Sequence, residues 1–110
     1  MRFTEGRLAI GGAVRFYDVS EDQSLGAWKP RVREEIGDFL RQYQPDFDEF
    51  EYLALMQRFG LFDTGRLRWA LAWQASNAFA EWLKDRGVPA DVAGKATSVY
   101  EFDFEVRKAE

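Results

Sequence analysis

Apolar and polar residues alternate along this chain at two different periods, and the points where the period changes divide it into elements. Near the start the period is two. Leu8 and Ile10 interleave with Arg7 and Ala9, and Val14 and Phe16 with Arg15 and Tyr17. Gly11-Gly12 between the two runs reads as a two-residue turn, which predicts an N-terminal β-hairpin. Ser20 to Ala27 is polar and short and reads as a loop. From Pro30 the period lengthens to that of a helix, with Val32, Ile36, Phe39, Leu40 and Tyr43 on one stripe. Pro30 suits a first helical turn, Glu34 and Glu35 sit near the start where the macrodipole favours acids, and Pro45 ends the segment.

Two further helices carry their own boundary signals. Asp48 with Glu51 three residues on forms a capping box, Phe47 can staple onto Tyr52, and Gly60 is a C-terminal glycine. After a short loop, Asp63 can cap a long helix from Arg66 to Arg86, with Phe62 stapled onto Leu67. Leu67, Leu71, Ala75, Ala78 and Trp82 make its central stripe. Ala72, Phe79 and Leu83 widen that stripe, and Trp69, Trp73 and Ala80 extend it further. Only the sector of Gln74, Asn77, Glu81 and Lys84 is consistently polar, so the helix is apolar around more than half its circumference. Gly87-Val88-Pro89 stops it, and Pro89 to Ala96 reads as a connector with at most one helical turn. The period then returns to two. Tyr100, Phe102, Phe104 and Val106 alternate with Glu101, Asp103, Glu105 and Arg107, the pattern of a half-buried strand.

The expected order is therefore ββαααβ. A C-terminal strand most simply returns to the hairpin, giving an α+β fold: a small antiparallel sheet (the N-terminal hairpin plus the C-terminal strand) packed with three helices. Residues 1–110 form a single globular domain in this reading, with Leu71, Ala78, Trp82, Ile36, Leu40, Phe102 and Phe104 in the core.

Composition narrows the chemistry more than the fold. Ten Phe, four Trp and four Tyr among 110 residues support a well-filled core. Cysteine and histidine are both absent. Disulfides, thiolate nucleophiles, Cys/His zinc sites, imidazole acid–base work and the usual triads are excluded together. The formal charge of −4 argues against a protein whose main task is to neutralise phosphates. No run is apolar for the length of a membrane span, and the first residues lack the apolar stretch of a signal peptide, so a cytoplasmic protein without a membrane partner is expected.

Four constellations are candidates for function. Asp46, Asp48, Glu49 and Glu51 are clustered carboxylates, but they lack the glycine and ligand order of a calcium loop, and helix capping accounts for them. Glu101, Asp103 and Glu105 make a negative row along one strand face. It is either a surface for a basic partner or a solvated face paired across the sheet with Arg7 and Arg15. Trp69 and Trp73, four residues apart on the flank of the long helix, are either second-face core or an exposed aromatic anchor. The helices from Asp48 to Gly87 resemble a helix-turn-helix only in outline, with Arg58, Arg66 and Arg68 as the cations such a module would need. An enzyme working through carboxylates alone would need acids such as Asp18 and Asp46 to meet in a cleft. No serine has a histidine to activate it, and no glycine pattern forms a phosphate loop.

The expectation is a non-enzymatic protein-binding module, an inhibitor, adaptor or assembly subunit, without catalytic residues, cofactor or metal. Its partner is another protein of unknown identity, met through Trp69, Trp73, Glu101, Asp103 and Glu105. In composition it is similar to small inhibitors carried by phages and other mobile elements. The alternative is a helix-turn-helix-like nucleic-acid-binding protein.

Overall fold

Helix dominates the backbone. The computed structural model describes residues 2–5, 8–16, 25–60 and 64–108, with side chains described over 25–60 and 64–106. In chain order these form β1 (Arg2–Glu5), β2 (Leu8–Phe16), a 3-10 turn at Gly26–Trp28, α1 (Lys29–Gln42), α2 (Glu49–Arg58), α3 (Thr64–Asp85), α4 (Ala90–Val99) and β3 (Tyr100–Lys108).

The expected ββαααβ fold is corrected on two counts. There are four helices in place of three, because the stretch read as a connector is the ten-residue helix α4. Its Val92, Ala93 and Ala96 are buried, so packing makes a helix of a small-residue segment with weak local propensity. The hairpin turning at Gly11-Gly12 is also not formed. Both glycines lie inside the uninterrupted strand β2, which pairs antiparallel with β3 from Leu8 opposite Lys108 to Phe16 opposite Tyr100. Gly12 stands across from Phe104. Nine continuous ladder positions outweigh the local preference of two glycines for a turn. Short β1 pairs with the other side of β2, so the strand order is β1-β2-β3.

The helix boundaries follow from local chemistry. Asp48 accepts a hydrogen bond from the Glu51 backbone N–H at 3.1 Å, which caps α2, and the Phe47 and Tyr52 rings lie 5.9 Å apart as the staple. α1 ends with Tyr43 extended, two residues before Pro45. At the end of α3, Gly87 takes φ +86°, and the N–H groups of Gly87 and Val88 bond back to Lys84 and Leu83. Val88 is buried there, closing the helix with a hydrophobic contact. Asp63 and Phe62, the expected cap and staple of α3, lie outside the described residues, as do Arg7, Tyr17 and Asp18.

The core lies between α1, α3, α4 and the apolar side of β3. On α3 the fully buried line is Leu67, Leu71, Ala75, Phe79 and Leu83, each four residues from the last. This is a single i±4 ridge, and it slants around the helix as such ridges do. The expected central stripe through Ala78 and Trp82 runs off that ridge, and both residues are only half-buried. Leu40 is likewise half-buried, whereas Leu71, Ile36, Phe102 and Phe104 are buried as expected. Phe39, Phe79 and Phe102 form an aromatic triangle with centroids 5.2 to 5.5 Å apart. Their tilted and edge-on geometries suit the ring quadrupoles.

Candidate partner-binding surface

The ridge that buries one side of α3 leaves the opposite side to solvent. Trp69 is 69 % exposed and Trp73 63 %, which settles the question left open by their spacing: they are surface residues. One helical turn apart, they form a continuous aromatic strip. Arg66, Ala70, Asn77 and Lys84 share the exposed sector, with Ala80 half-buried at its margin. Here the i±4 ridge already fills the space against β3 and α4, and two indoles remain outside.

Trp69 also borders a shallow cleft of about 170 Å³ between the first half of α3 and the start of β3. Arg68, Ala72, Glu101, Phe102 and Asp103 line it with Trp69. Three of the five expected contact residues thus meet at one place. Trp73 lies one turn further along α3, and Glu105 lies further along β3, both outside the lining. The Arg68 Nη2 nitrogen donates to both Asp103 oxygens, at 2.8 and 2.9 Å. Asp103 is therefore matched by a helix cation, while Arg7 and the side chain of Arg15, the expected cross-strand partners of the acidic row, lie outside what the structure describes. The register does place Arg15 across from Glu101. Glu101 and Glu105 are exposed. The Arg68 Nε is buried and has no hydrogen-bond partner. With Arg68 committed to Asp103, one of the three cations required by a nucleic-acid surface is already engaged.

Two polar constellations escape a reading of periodicity. The first is centred on Glu35, which is only 4 % exposed. Its Oε2 accepts from the Trp82 indole N–H at 2.8 Å and its Oε1 from the Arg31 Nε at 3.1 Å. The Arg86 Nε stands 3.6 Å from Oε2, and the Arg86 guanidinium lies 4.2 Å over the Trp82 ring. Arg31 also donates to the Arg86 carbonyl at 3.1 Å, so one carboxylate clamps α1 to the end of α3. Burial pushes the Glu35 carboxyl up, but the Trp82 and Arg31 hydrogen bonds and the charges of Arg86 and Arg31 outweigh it, leaving it below its usual value. The assignment of Glu35 to macrodipole compensation is corrected: no acid lies in the first turn of α1. The i,i+4 spacing of Arg31 and Glu35, beside the Val32/Ile36 stripe, was the available signal.

The second constellation is centred on Gln74. Its side-chain oxygen accepts from the Asp46 N–H at 3.0 Å and from the Tyr43 hydroxyl at 3.2 Å, while its amide donates to the Asp46 carbonyl at 2.9 Å. It pins the segment after α1 to the middle of α3. Burial and the nearby Asp46 carboxylate both push the Tyr43 hydroxyl pKa up. Beside it, an open groove of about 420 Å³ runs between α1 and α3 over Phe39, Tyr43, Ala78 and Trp82, with Glu81 and Asp85 on its rim.

Further apolar surface lies on α2 and just after it, where Phe50 is 82 %, Phe59 65 % and Leu55 44 % exposed. Among the described residues no group of three or more Asp, Glu, His or Cys could hold a metal ion, and no helix is long and apolar enough to cross a membrane. In the acidic run, Asp48 is the cap of α2 and Glu49 is buried. Comparison with protein-family models, curated proteins and solved structures finds no match to this chain.

Proposed function

We propose that this chain is a non-enzymatic protein-binding module, an inhibitor, adaptor or assembly subunit, whose contact surface is the outward sector of α3. One observation carries the reading: Trp69 and Trp73 are both about two-thirds exposed on a helix whose opposite side is closed into the core. Ordered indoles combine large apolar area with few rotatable bonds, which is why tryptophan is prominent among interface hot spots. Glu101 and Glu105, on the neighbouring strand, supply negative charge that steers a basic partner surface, and Asp103 shapes the cleft beside Trp69 through Arg68. A cytoplasmic setting and a partner other than a membrane belong to the same reading.

The test compares the parent chain with the W69A/W73A double variant, each immobilised and exposed to the same cell extract. Both positions are exposed, so the double variant is expected to melt like the parent. Proteins retained by the parent and lost from the variant support the reading, and loss of either indole should weaken such a complex by about 2 kcal/mol, on the order of thirtyfold. Identical retention by a folded double variant would refute it. In the free monomer at high dilution, acrylamide must quench Trp69 and Trp73; full protection of all four tryptophans would refute it independently.

A further inference from the structure

A second i±4 ridge, Trp69, Trp73, Asn77, Glu81 and Asp85, runs along α3 on the side away from the buried one, and every residue on it is exposed. The indoles occupy its first half. Its last two residues form the rim of the groove between α1 and α3. Resting on the reading that this side of α3 meets a protein, we infer that the groove receives an arginine side chain of that partner, its guanidinium lying on Tyr43 and Trp82 and paired with Asp85.

The groove is aromatic, and its rings are fixed. Tyr43 stacks on the buried Phe39 with centroids 4.7 Å apart, and Trp82 meets Phe39 edge-on at 5.6 Å. The polar tip of each half-buried ring is tied elsewhere, the Tyr43 hydroxyl to Gln74 and the Trp82 N–H to Glu35. Both rings therefore line the groove with π surface that is in place before a ligand arrives. The molecule itself shows that a guanidinium suits Trp82, since that of Arg86 lies 4.2 Å over the ring. Arg86 does not line the groove, so that contact does not fill it.

The charge around the groove selects a cation. Among the described residues, Glu81 and Asp85 are the charged groups that line it. Glu81 is already bonded to Lys84 at 2.6 Å. Asp85 is exposed and has no hydrogen bond or ion pair among the described residues. It is the last residue of α3, where the macrodipole disfavours an acid, so helix electrostatics do not account for it. At the other end the Asp46 carboxylate lies near enough to push up the Tyr43 hydroxyl pKa. The neighbouring cations are engaged, Arg31 and Arg86 by Glu35 and Arg41 by Asp38. Unmatched negative charge over an aromatic floor is complementary to arginine, whose guanidinium is planar, always charged and weakly hydrated. The volume of about 420 Å³ is that of a small-ligand site and admits the apolar stem as well as the head. Gln42 and Gln44, also on the groove, offer further acceptors for the guanidinium N–H groups.

The test titrates the isotope-labelled full chain with N-acetyl-arginine methylamide and follows the indole N–H signals by NMR. Trp82 should shift and saturate with a dissociation constant of about 1–10 mM, the scale of one side chain outside its protein, while Trp69 and Trp73 stay still. The citrulline analogue keeps the shape and loses the charge, and should bind about tenfold more weakly. D85N should weaken arginine binding about threefold to fivefold while melting like the parent, and E101Q/E105Q should leave it unchanged. Citrulline binding as well as arginine, shifts spread equally over Trp69 and Trp73, or binding untouched by D85N overturns the inference. Free L-arginine binding about tenfold tighter than the blocked form would assign the groove to a free amino acid and overturn the protein source. An unmoved Trp82 signal would sink the groove and leave the retention test of W69A/W73A standing. Identical retention by that variant, with Trp82 shifting as expected, would refute the indole strip alone.

Discussion

Replacing Glu35 by Ala removes the carboxylate that joins α1 to α3, and the structure indicates how much should be lost. Arg31 and Arg86 keep roughly 40 % of their side chains in solvent. Once unpaired, each guanidinium can rehydrate, so these two contacts contribute only a few tenths of a kcal/mol apiece. The Trp82 N–H is different. Its bond to Glu35 at 2.8 Å is charge-assisted and part-buried, worth about 1.5–3 kcal/mol. The total for E35A is therefore about 2–3 kcal/mol, short of the 3–5 kcal/mol typical of breaking a fully buried ion pair. Urea denaturation should show a lower midpoint with unchanged slope. Combining E35A with W82F should give a coupling of about 1–2 kcal/mol, since both changes delete the same hydrogen bond. Because the Glu35 carboxyl is held below its usual value of 4.5, its contribution is complete above that pH and is lost as the pH falls through the lowered folded value. The stability gap between parent and E35Q should accordingly close in acid. A destabilisation by E35A under 0.5 kcal/mol, or a gap to E35Q that widens in acid, would refute the argument.

Truncation of Leu71, in the middle of the α3 ridge, should cost about 2–5 kcal/mol by chemical denaturation, through lost transfer energy and the cavity left behind. Asp48→Ala removes the cap of α2 and should cost about 1 kcal/mol, with the loss visible first as faster amide exchange at the start of that helix. Gly87→Ala places a Cβ at φ +86°, a conformation that disfavours any L side chain, so a loss of about 1 kcal/mol in thermal or urea unfolding is expected even though the site has open space.

The parts of this fold that could be read from residues alone are those decided within a few positions of the chain. The Asp48/Glu51 box, the Phe47/Tyr52 staple and the Gly87-Val88-Pro89 stop each act over one or two helical turns. The alternation from Tyr100 to Val106 has one wet face and one dry one. The parts misread are decided by residues far apart. Gly11 and Gly12 have local turn character, yet they sit in a strand because β3, some ninety residues later, supplies a partner for every position. α4 is helical because Val92, Ala93 and Ala96 find a core, which no count over Ala90 to Val99 reveals. The helical period identified α3 but not which of two overlapping apolar stripes is buried. The Leu67-to-Leu83 ridge and the Ala78/Trp82 line differ by a single residue of phase, and their fates are separated by where β3 and α1 press. The same ambiguity covered Trp69 and Trp73, since apolar arc alone does not say how many neighbours a helix has.

The pairing of β2 with β3 also sets an order of events in time. Its partners are separated along the chain by 84 residues at the Phe16–Tyr100 end and by 100 at the Leu8–Lys108 end. During synthesis β2 leaves the ribosome long before β3 and must wait for all the intervening chain before its ladder with β3 exists. The four helices can form in the interval, whereas the β2–β3 ladder closes only once β3 has been made and bears its loop entropy at once. Until then the side of β2 away from β1 is an open edge, and it falls to the translation rate and to the helices already gathered to decide how long that edge stays open.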